Sequence, residues 1–342
     1  MRILVWLEKS EVRGGIEVFA ERHVAQLRDM GHEVQFPVPR SPFPAFDEII
    51  VHKCTDVATL EKFPPEKTVY YVHDHEPICP RGYAYTPLRR NCTRAGGVWP
   101  CIFCAPACRG WKAALGRVFS QERRIAAMSK FRKIVVISEF MKSRLVANGI
   151  PAEKVVVEPP VLDILNAEAR NRPLRVGATH GEATKPSEAR AERRGDGEGS
   201  ASMRLCVEKI DLLYVGQLIR GKGVQLLLEA MARMKAKRTL DIVGTGNMEV
   251  ELRAIAARLG LSDRVRFNGF QKNPQEWMRR AACVVVPSFW QEPYGLVAAE
   301  AVALGRKVVA FAIGGLPEAC RGKATLVPPG DVAALAEALE LP

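Results

Sequence analysis

The sequence predicts an α/β protein made of two Rossmann-like domains whose parallel sheets face each other across a cleft. Three observations predict it. Short, apolar, β-rich runs alternate with amphipathic helical stretches, the pattern of βαβ units and a parallel sheet. The alternation stops near residue 162 and starts afresh at residue 209. At about 150 residues per domain, a chain of 342 residues fits two domains better than one.

The first half has predicted strands at Ile3–Leu7, Glu33–Val38, Ile49–Val51, Val69–Val72, Ile134–Ile137 and Val155–Val157. The second has them at Leu212–Val215, Leu240–Val243, Val265–Phe267, Cys283–Val286, Val308–Phe311 and Thr325–Val327. Between these lie helical patterns around Val224–Lys235, Met248–Leu259, Pro274–Ala281 and Tyr294–Leu304. Residues 163–208 are poor in large apolar side chains and carry Arg193-Arg194-Gly195-Asp196-Gly197-Glu198-Gly199-Ser200 at their centre, so they are expected to be a flexible linker. The predicted domains are 1–162 and 209–342, and the cleft between them is the default ligand site.

Composition excludes several classes. With 47% hydrophobic and 26% charged residues the chain is neither disordered nor fibrous. No apolar run approaches the roughly 18 residues that cross a bilayer. Ile3–Leu7 is closed by Glu8 and Lys9, too short for a secretory h-region, so a cytoplasmic protein is expected.

The net charge of +12 is local in origin, because residues 81–144 hold 14 Lys or Arg against only Glu122 and Glu139. Such a stretch attracts an anionic partner. Trp99, Phe103, Trp111 and Phe119 lie among Arg89, Arg90, Arg94, Arg109, Lys112 and Arg117. That mixture suits an anionic membrane surface, with the protein peripheral on its inner face. No nucleic-acid module accompanies it, so nucleic acid is not an expected partner. A merely solvated basic face is the plainer alternative.

Five of the nine cysteines cluster, as Cys79, Cys92, Cys101, Cys104 and Cys108 within an insertion at 79–108. A Cys-x2-Cys knuckle plus two further thiolates can form a closed tetrahedral zinc site. Cys79, Cys92, Cys101 and Cys104 are the favoured ligands of a structural zinc, with Cys108 competing; iron–sulfur ligation and disulfides stay open.

The most informative stretch runs from Ser288 through Phe289-Trp290-Gln291-Glu292-Pro293-Tyr294-Gly295-Leu296 to Glu300. Pro293 is expected at or near the first helical position, beside the carboxyl end of a strand. The free amides near Gly295 and Leu296, with the positive end of the helix dipole, suit a diphosphate. Glu300 follows Glu292 by eight residues, at most about 12 Å along a helix axis. One carboxylate can then accept hydrogen bonds from sugar hydroxyls and the other from ribose. Tyr214-Val215-Gly216-Gln217 leads through Arg220 and Gly221 to Lys222-Gly223, a glycine-rich turn that brings backbone and a cation to phosphate. Gly244-Thr245-Gly246 can edge a nucleotide base, but no third glycine completes a dinucleotide fingerprint. His73-Asp74-His75-Glu76 emerges at the carboxyl end of a strand, facing the cleft.

These motifs, with Gly314-Gly315-Leu316-Pro317-Glu318 and Gly14-Gly15, make the sequence similar to family 4 retaining glycosyltransferases of the GT-B fold. The resemblance implies a hexosyltransferase with a donor-binding second domain at 209–342 and an acceptor-side first domain at 1–162. It implies transfer from a nucleotide-diphosphate sugar, UDP- or GDP-linked, to a hydroxyl of a lipid-linked or saccharide acceptor. Glu292 and Glu300 would face sugar and ribose, Lys222 the diphosphate, His73 the reacting centre, and the Gly14-Gly15 loop would close over the cleft. Gly216, Gln217, Arg220, Gly244, Gly246, Gly295 and Leu296 complete the implied donor site. No Asp-x-Asp motif is present, so no cofactor is expected for catalysis. Gln217 stands where the family commonly has Arg, and the sequence stops at Pro342 without the family's long last helix. Those departures keep open a catalytically degenerate scaffold subunit; a nucleotide-sugar epimerase on the same fold is the other alternative.

Overall fold

In the computed structural model the described residues are 1–8, 15–36, 46–79, 92, 101, 104, 111–160, 162 and 209–340. The first half runs β1 (Arg2–Leu7), α1 (Gly15–Asp29), β2 (Glu33–Gln35), β3 (Glu48–Lys53), α2 (Val57–Leu60), β4 (Thr68–Val72), α3 (Trp111–Lys130), β5 (Lys133–Val136), α4 (Glu139–Val146) and β6 (Val155–Val157). The second runs β7 (Ile210–Val215), α5 (Val224–Arg233), β8 (Leu240–Val243), α6 (Glu249–Arg258), β9 (Val265–Phe267), α7 (Pro274–Arg280), β10 (Ala281–Val286), α8 (Leu296–Ala303), β11 (Lys307–Phe311), α9 (Leu316–Cys320), β12 (Thr325–Val327) and α10 (Val332–Glu340).

All twelve predicted strands form, in two six-stranded parallel sheets ordered β2-β1-β3-β4-β5-β6 and β12-β11-β10-β7-β8-β9. Strands such as Val284-Val285-Val286 are continuous apolar runs because a parallel sheet is covered on both faces. In the first sheet, Leu4, Ile49 and Val51 face one core while Ile3, Val5 and Ile50 face the other, as the two-residue period requires. The apolar stripe of α5, Val224, Leu227, Leu228 and Met231, follows the helical spacing and packs on the second sheet.

In the second sheet the strand order reverses between β7 and β10, and in the first between β1 and β3. At such switch points the connecting helices leave to opposite faces and open a crevice at the carboxyl ends of the strands. The predicted donor motifs follow β7 and β10.

Two boundaries differ from expectation. Helix α8 begins at Leu296 with Gly295 as its N-cap, so Pro293 lies in the preceding loop. The strand predicted to reach Val38 ends at Gln35, ahead of Pro37, which cannot donate to a ladder. The linker 163–208, Gly14, Cys108 and most of the 79–108 insertion, with its basic aromatic stretch up to Arg109, lie outside the described residues.

The two sheets are joined by an apolar contact of Ile137 with Tyr294, Ala299 and Ala319, to which Leu162 adds. Around it the first domain reaches directly for the loop that carries Glu292.

Candidate active site

The donor half is assembled by two loops pressed together at the β7/β10 switch point. Gly223 has φ of 74°, and a Cβ there would overlap the Pro287 carbonyl oxygen. Only glycine allows that approach without strain. The amides of Phe289 and Trp290 donate to the Gly221 carbonyl at 3.1 and 3.3 Å, tying one loop to the other. Lys222 is thereby brought to 2.6 Å from Glu292 Oε1.

The same oxygen accepts from Ser288 Oγ at 2.7 Å and from Trp290 Nε1 at 2.8 Å. Burial alone would raise the Glu292 carboxyl. The adjacent Lys222 ammonium, with hydrogen bonds from Lys222, Ser288 and Trp290, outweighs it and holds the group below its ordinary range. Lys222 also lies over the Trp290 ring, 5.1 Å from its centroid.

Glu300 lies on α8, half-buried, with Gln275 Nε2 3.1 Å from its Oε2. Burial pushes its carboxyl up, against the opposing pull of Arg22 and Gln275. The two acids therefore differ: Glu292 is a firm anion, while Glu300 is the more easily protonated. Gly295 turns the chain into α8 with φ of 108°, which places its own and the Leu296 amide at the helix start.

Other predicted residues fall differently. Arg220 is held by Glu251 on α6 at 3.1 Å, on an exposed face, and not beside Lys222. Gln217 is exposed, and its carbonyl accepts from the Tyr214 hydroxyl at 2.8 Å. Gly216 hydrogen-bonds through its amide to Val243, while Cβ atoms on Gly244 and Gly246 would overlap the carbonyls of Gly216 and Leu218. These glycines press the β7 and β8 loops together. Gly15 is the first residue of α1 and so lies within a helix, in contrast to the expected loop.

On the facing side His73 follows β4, and its ring is pushed down to about 3 by burial, with His23 adding to the effect. It is a neutral imidazole near pH 7. Burial pushes the Asp74 carboxyl up to about 6, and Asp74 accepts from the Glu76 amide at 2.8 Å. Glu76 is paired with Arg124, which also reaches the Thr55 carbonyl, so that acid serves the fold.

His75 does what the sequence did not indicate. Its Nε2 donates across the cleft to the Gln291 carbonyl at 2.8 Å. Ser138 Oγ likewise donates to the Pro293 carbonyl at 2.5 Å, and Glu318 accepts from the amides of Glu139 and Phe140 at 2.7 Å each. The residues on either side of Glu292 are thus gripped by the first domain. His75 Nδ1 and Gln291 Oε1 are buried there without a partner among the described residues, which leaves room in the chemistry for a water or ligand hydroxyl.

Of the proposed zinc ligands, Cys104 donates its amide to the Cys101 carbonyl at 3.0 Å. Among the described residues no three His, Cys, Asp or Glu side chains gather as a metal site, and no helix is long and apolar enough to cross a membrane.

Residues 209–341 match the family model described as "Glycosyl transferases group 1". That match spans the second domain and leaves the first domain outside it. Solved structures resemble both halves of the chain. HepE of Anabaena, solved in complex with UDP and glucose, covers 99% of this chain and 89% of its own at a TM-score of 0.63 and 18% identity. A glycosyltransferase from Rickettsia africae covers 98% and 86% at a TM-score of 0.64 and 15% identity. The fold of the whole chain is accordingly GT-B.

Among sequence relatives, a protein of Streptomyces scabiei described as D-inositol 3-phosphate glycosyltransferase is 36% identical over 165 residues, 43% of this chain and 37% of the relative. One of Thermomonospora curvata with the same description is 32% identical over 212 residues, 60% and 46%. The chain spans less than half the length of each of these two relatives.

Proposed function

We propose that this chain is a group 1 glycosyltransferase that moves a hexose from a UDP- or GDP-linked donor to a hydroxyl on a lipid-linked or saccharide acceptor, with retention at the anomeric carbon. The observation that carries the proposal is the partly buried Lys222–Glu292 pair at the β7/β10 switch point, with Glu292 three residues before Gly295, the N-cap of α8. Solved neighbours with UDP and UDP-glucose bound support a nucleotide-sugar donor. Retention rests on the family resemblance.

On this reading the donor exchanges the Lys222–Glu292 contact for two new ones. Lys222 and the amides of Gly295 and Leu296 meet the diphosphate, where negative charge grows as the sugar departs. Glu292, freed from the ammonium yet held by Ser288 and Trp290, accepts from sugar hydroxyls. Glu300 takes the ribose. His73, neutral, lines the acceptor pocket. No divalent ion enters the scheme, so transfer should need no added divalent ion.

Calorimetry with UDP-glucose, GDP-mannose and their relatives tests the donor half. Saturable binding of one nucleotide class is expected; no heat with any of them at millimolar concentration would overturn the reading. A donor at 100 times its dissociation constant should also add about 2.7 kcal/mol to stability. Proton NMR of the product reports whether the anomeric configuration is kept.

Two accessory roles are proposed with it. The Cys-x2-Cys spacing with two further cysteines supports a structural zinc in the 79–108 insertion, although Cys79, Cys92, Cys101 and Cys104 do not gather as a site among the described residues; metal analysis of reduced protein checks it at one zinc per chain. The charge of residues 81–144 supports docking on anionic membranes at the inner face, expected as salt-sensitive sedimentation with anionic but not neutral vesicles.

A further inference from the structure

His23 on α1, His52 on β3 and His73 after β4 stand in a row. His23 Nδ1 is 3.2 Å from His52 Nε2, and His52 Nδ1 is 3.0 Å from His73 Nε2. Each of these nitrogen pairs needs a single proton between its two atoms. A neutral imidazole carries one N–H and one bare nitrogen. Three neutral rings linked in this way have only two consistent arrangements. Either all three carry the proton on Nδ1 and donation runs from His23 through His52 to His73, or all three carry it on Nε2 and donation runs the other way. A ring out of step would set two N–H groups, or two lone pairs, face to face.

We propose that His52 and His23 are positioning residues that set the tautomer of His73 and so decide whether its Nδ1 presents a proton or a lone pair to a molecule in the cleft. The inference deepens the proposed reaction and rests on placing His73 in the acceptor pocket.

The surroundings fit a chain built for orientation. Phe19 of α1 meets His73 edge-on at a centroid distance of 4.9 Å and His52 at 5.6 Å. Tyr71 lies 4.9 Å from His52 and 5.1 Å from His23 and donates its hydroxyl to Glu158 at 3.3 Å. His52 itself is almost completely enclosed. The charged groups facing the row are Glu158 and Glu48, both at the His23 end; they are paired with Lys133 and Arg132. Besides burial, the other rings of the row are what act on His52 and His73 among the described residues. Burial lowers all three rings, which keeps them neutral near pH 7. His23, with two acids facing it, is where a proton adds first on acidification. A doubly protonated His23 can only donate from Nδ1, and that enforces the direction ending with Nδ1–H on His73.

Two-bond proton–nitrogen NMR on protein with ¹⁵N-histidine reads the tautomer of each ring directly, without substrate. An asparagine amide replaces an imidazole Nδ1 and a glutamine amide its Nε2. His52→Asn therefore keeps the link to His73 and cuts that to His23, while His52→Gln does the reverse. The wild type should show one shared tautomer at pH 8. His52→Asn should leave His73 ordered, and His52→Gln should turn it into a mixture of both forms. Wild-type rings in unlike tautomers, or a His73 spectrum in His52→Gln identical to that of the wild type, would overturn the proposal.

Transfer kinetics separate the chain from the reading on which it rests. In His52→Gln, kcat should fall about 10- to 100-fold with the donor KM within about twofold, and His52→Asn should recover most of the rate. A released His73 with unchanged transfer leaves the tautomer chain intact and removes His73 from the acceptor pocket.

Discussion

Three hydrogen bonds converge on one oxygen of Glu292, from a lysine, a serine and a tryptophan, and they fix its direction as well as its charge. Glu292→Gln should lower transfer by about 100-fold or more, read as product formation, because on the proposed reading the carboxylate is the anionic acceptor for sugar hydroxyls. Glu292→Leu strands the Ser288 hydroxyl and the indole N–H as well, and should cost about 1–3 kcal/mol in urea titration. The pH signs follow from the directions of shift. Glu292 titrates below its ordinary value of 4.5 when folded, so its contribution is complete above that value and is lost as pH falls through the lowered one. The histidines behave differently: burial keeps them neutral in the fold, while the unfolded chain takes up protons below about 6.5, a loss that for His73 extends down to about 3. The melting temperature should therefore already fall between pH 7 and pH 5, and calorimetric scans showing none of that fall would contradict the neutral row. Glu292 and Lys222 could be read from sequence because their motifs stand in loops where function concentrates. His52 could not: it sits inside the apolar run of β3 and looks like an interruption of a strand until the sheet brings His23 and His73 against it.

At the level of elements, the strand and helix pattern was legible because buried parallel strands and amphipathic helices have distinct periods. Their ends were not. The proline signal at Pro293 marked a helix start that lies at Leu296, since Gly295 turns the chain in a region only glycine favours. Arg220 shows a second limit: its motif pointed to phosphate, and its ion pair with Glu251 on a different helix could not be read from sequence. Gly223 and Gly260 both have positive φ, 74° and 67°, but differ in surroundings. A side chain at Gly223 would strike the Pro287 carbonyl, whereas Gly260 has open space. Gly223→Ala should lose at least about 2 kcal/mol and Gly260→Ala only about 1 kcal/mol. Denaturant midpoints compare them; equal losses would mean that the two loops are not pressed together.

Across the whole molecule, the bonds between domains join residues 155 to 216 positions apart, which no local pattern announces. Glu318 illustrates the gap: its motif was legible, but its place at the amino end of α4 was not. Two amides of α4 donate to it, so it acts as a cap supplied by the other domain. Glu318→Ala should weaken the closed arrangement by about 1 kcal/mol, roughly fivefold in the balance of closed and open forms. Small-angle scattering should then show a larger radius of gyration, with weaker donor binding by calorimetry. An unchanged radius would assign the closure to the apolar joint at Tyr294.

The carbonyls that flank Glu292 belong to Gln291 and Pro293, and both are grasped from the opposite lobe, by His75 and Ser138. Any occupant that changes the spacing of the lobes must therefore pull on the acid itself. Thermodynamic reciprocity makes that influence mutual: the factor by which one substrate alters affinity for the other is the same in both directions. On the proposed reading, the strength of that coupling becomes a property of two hydrogen bonds between the lobes.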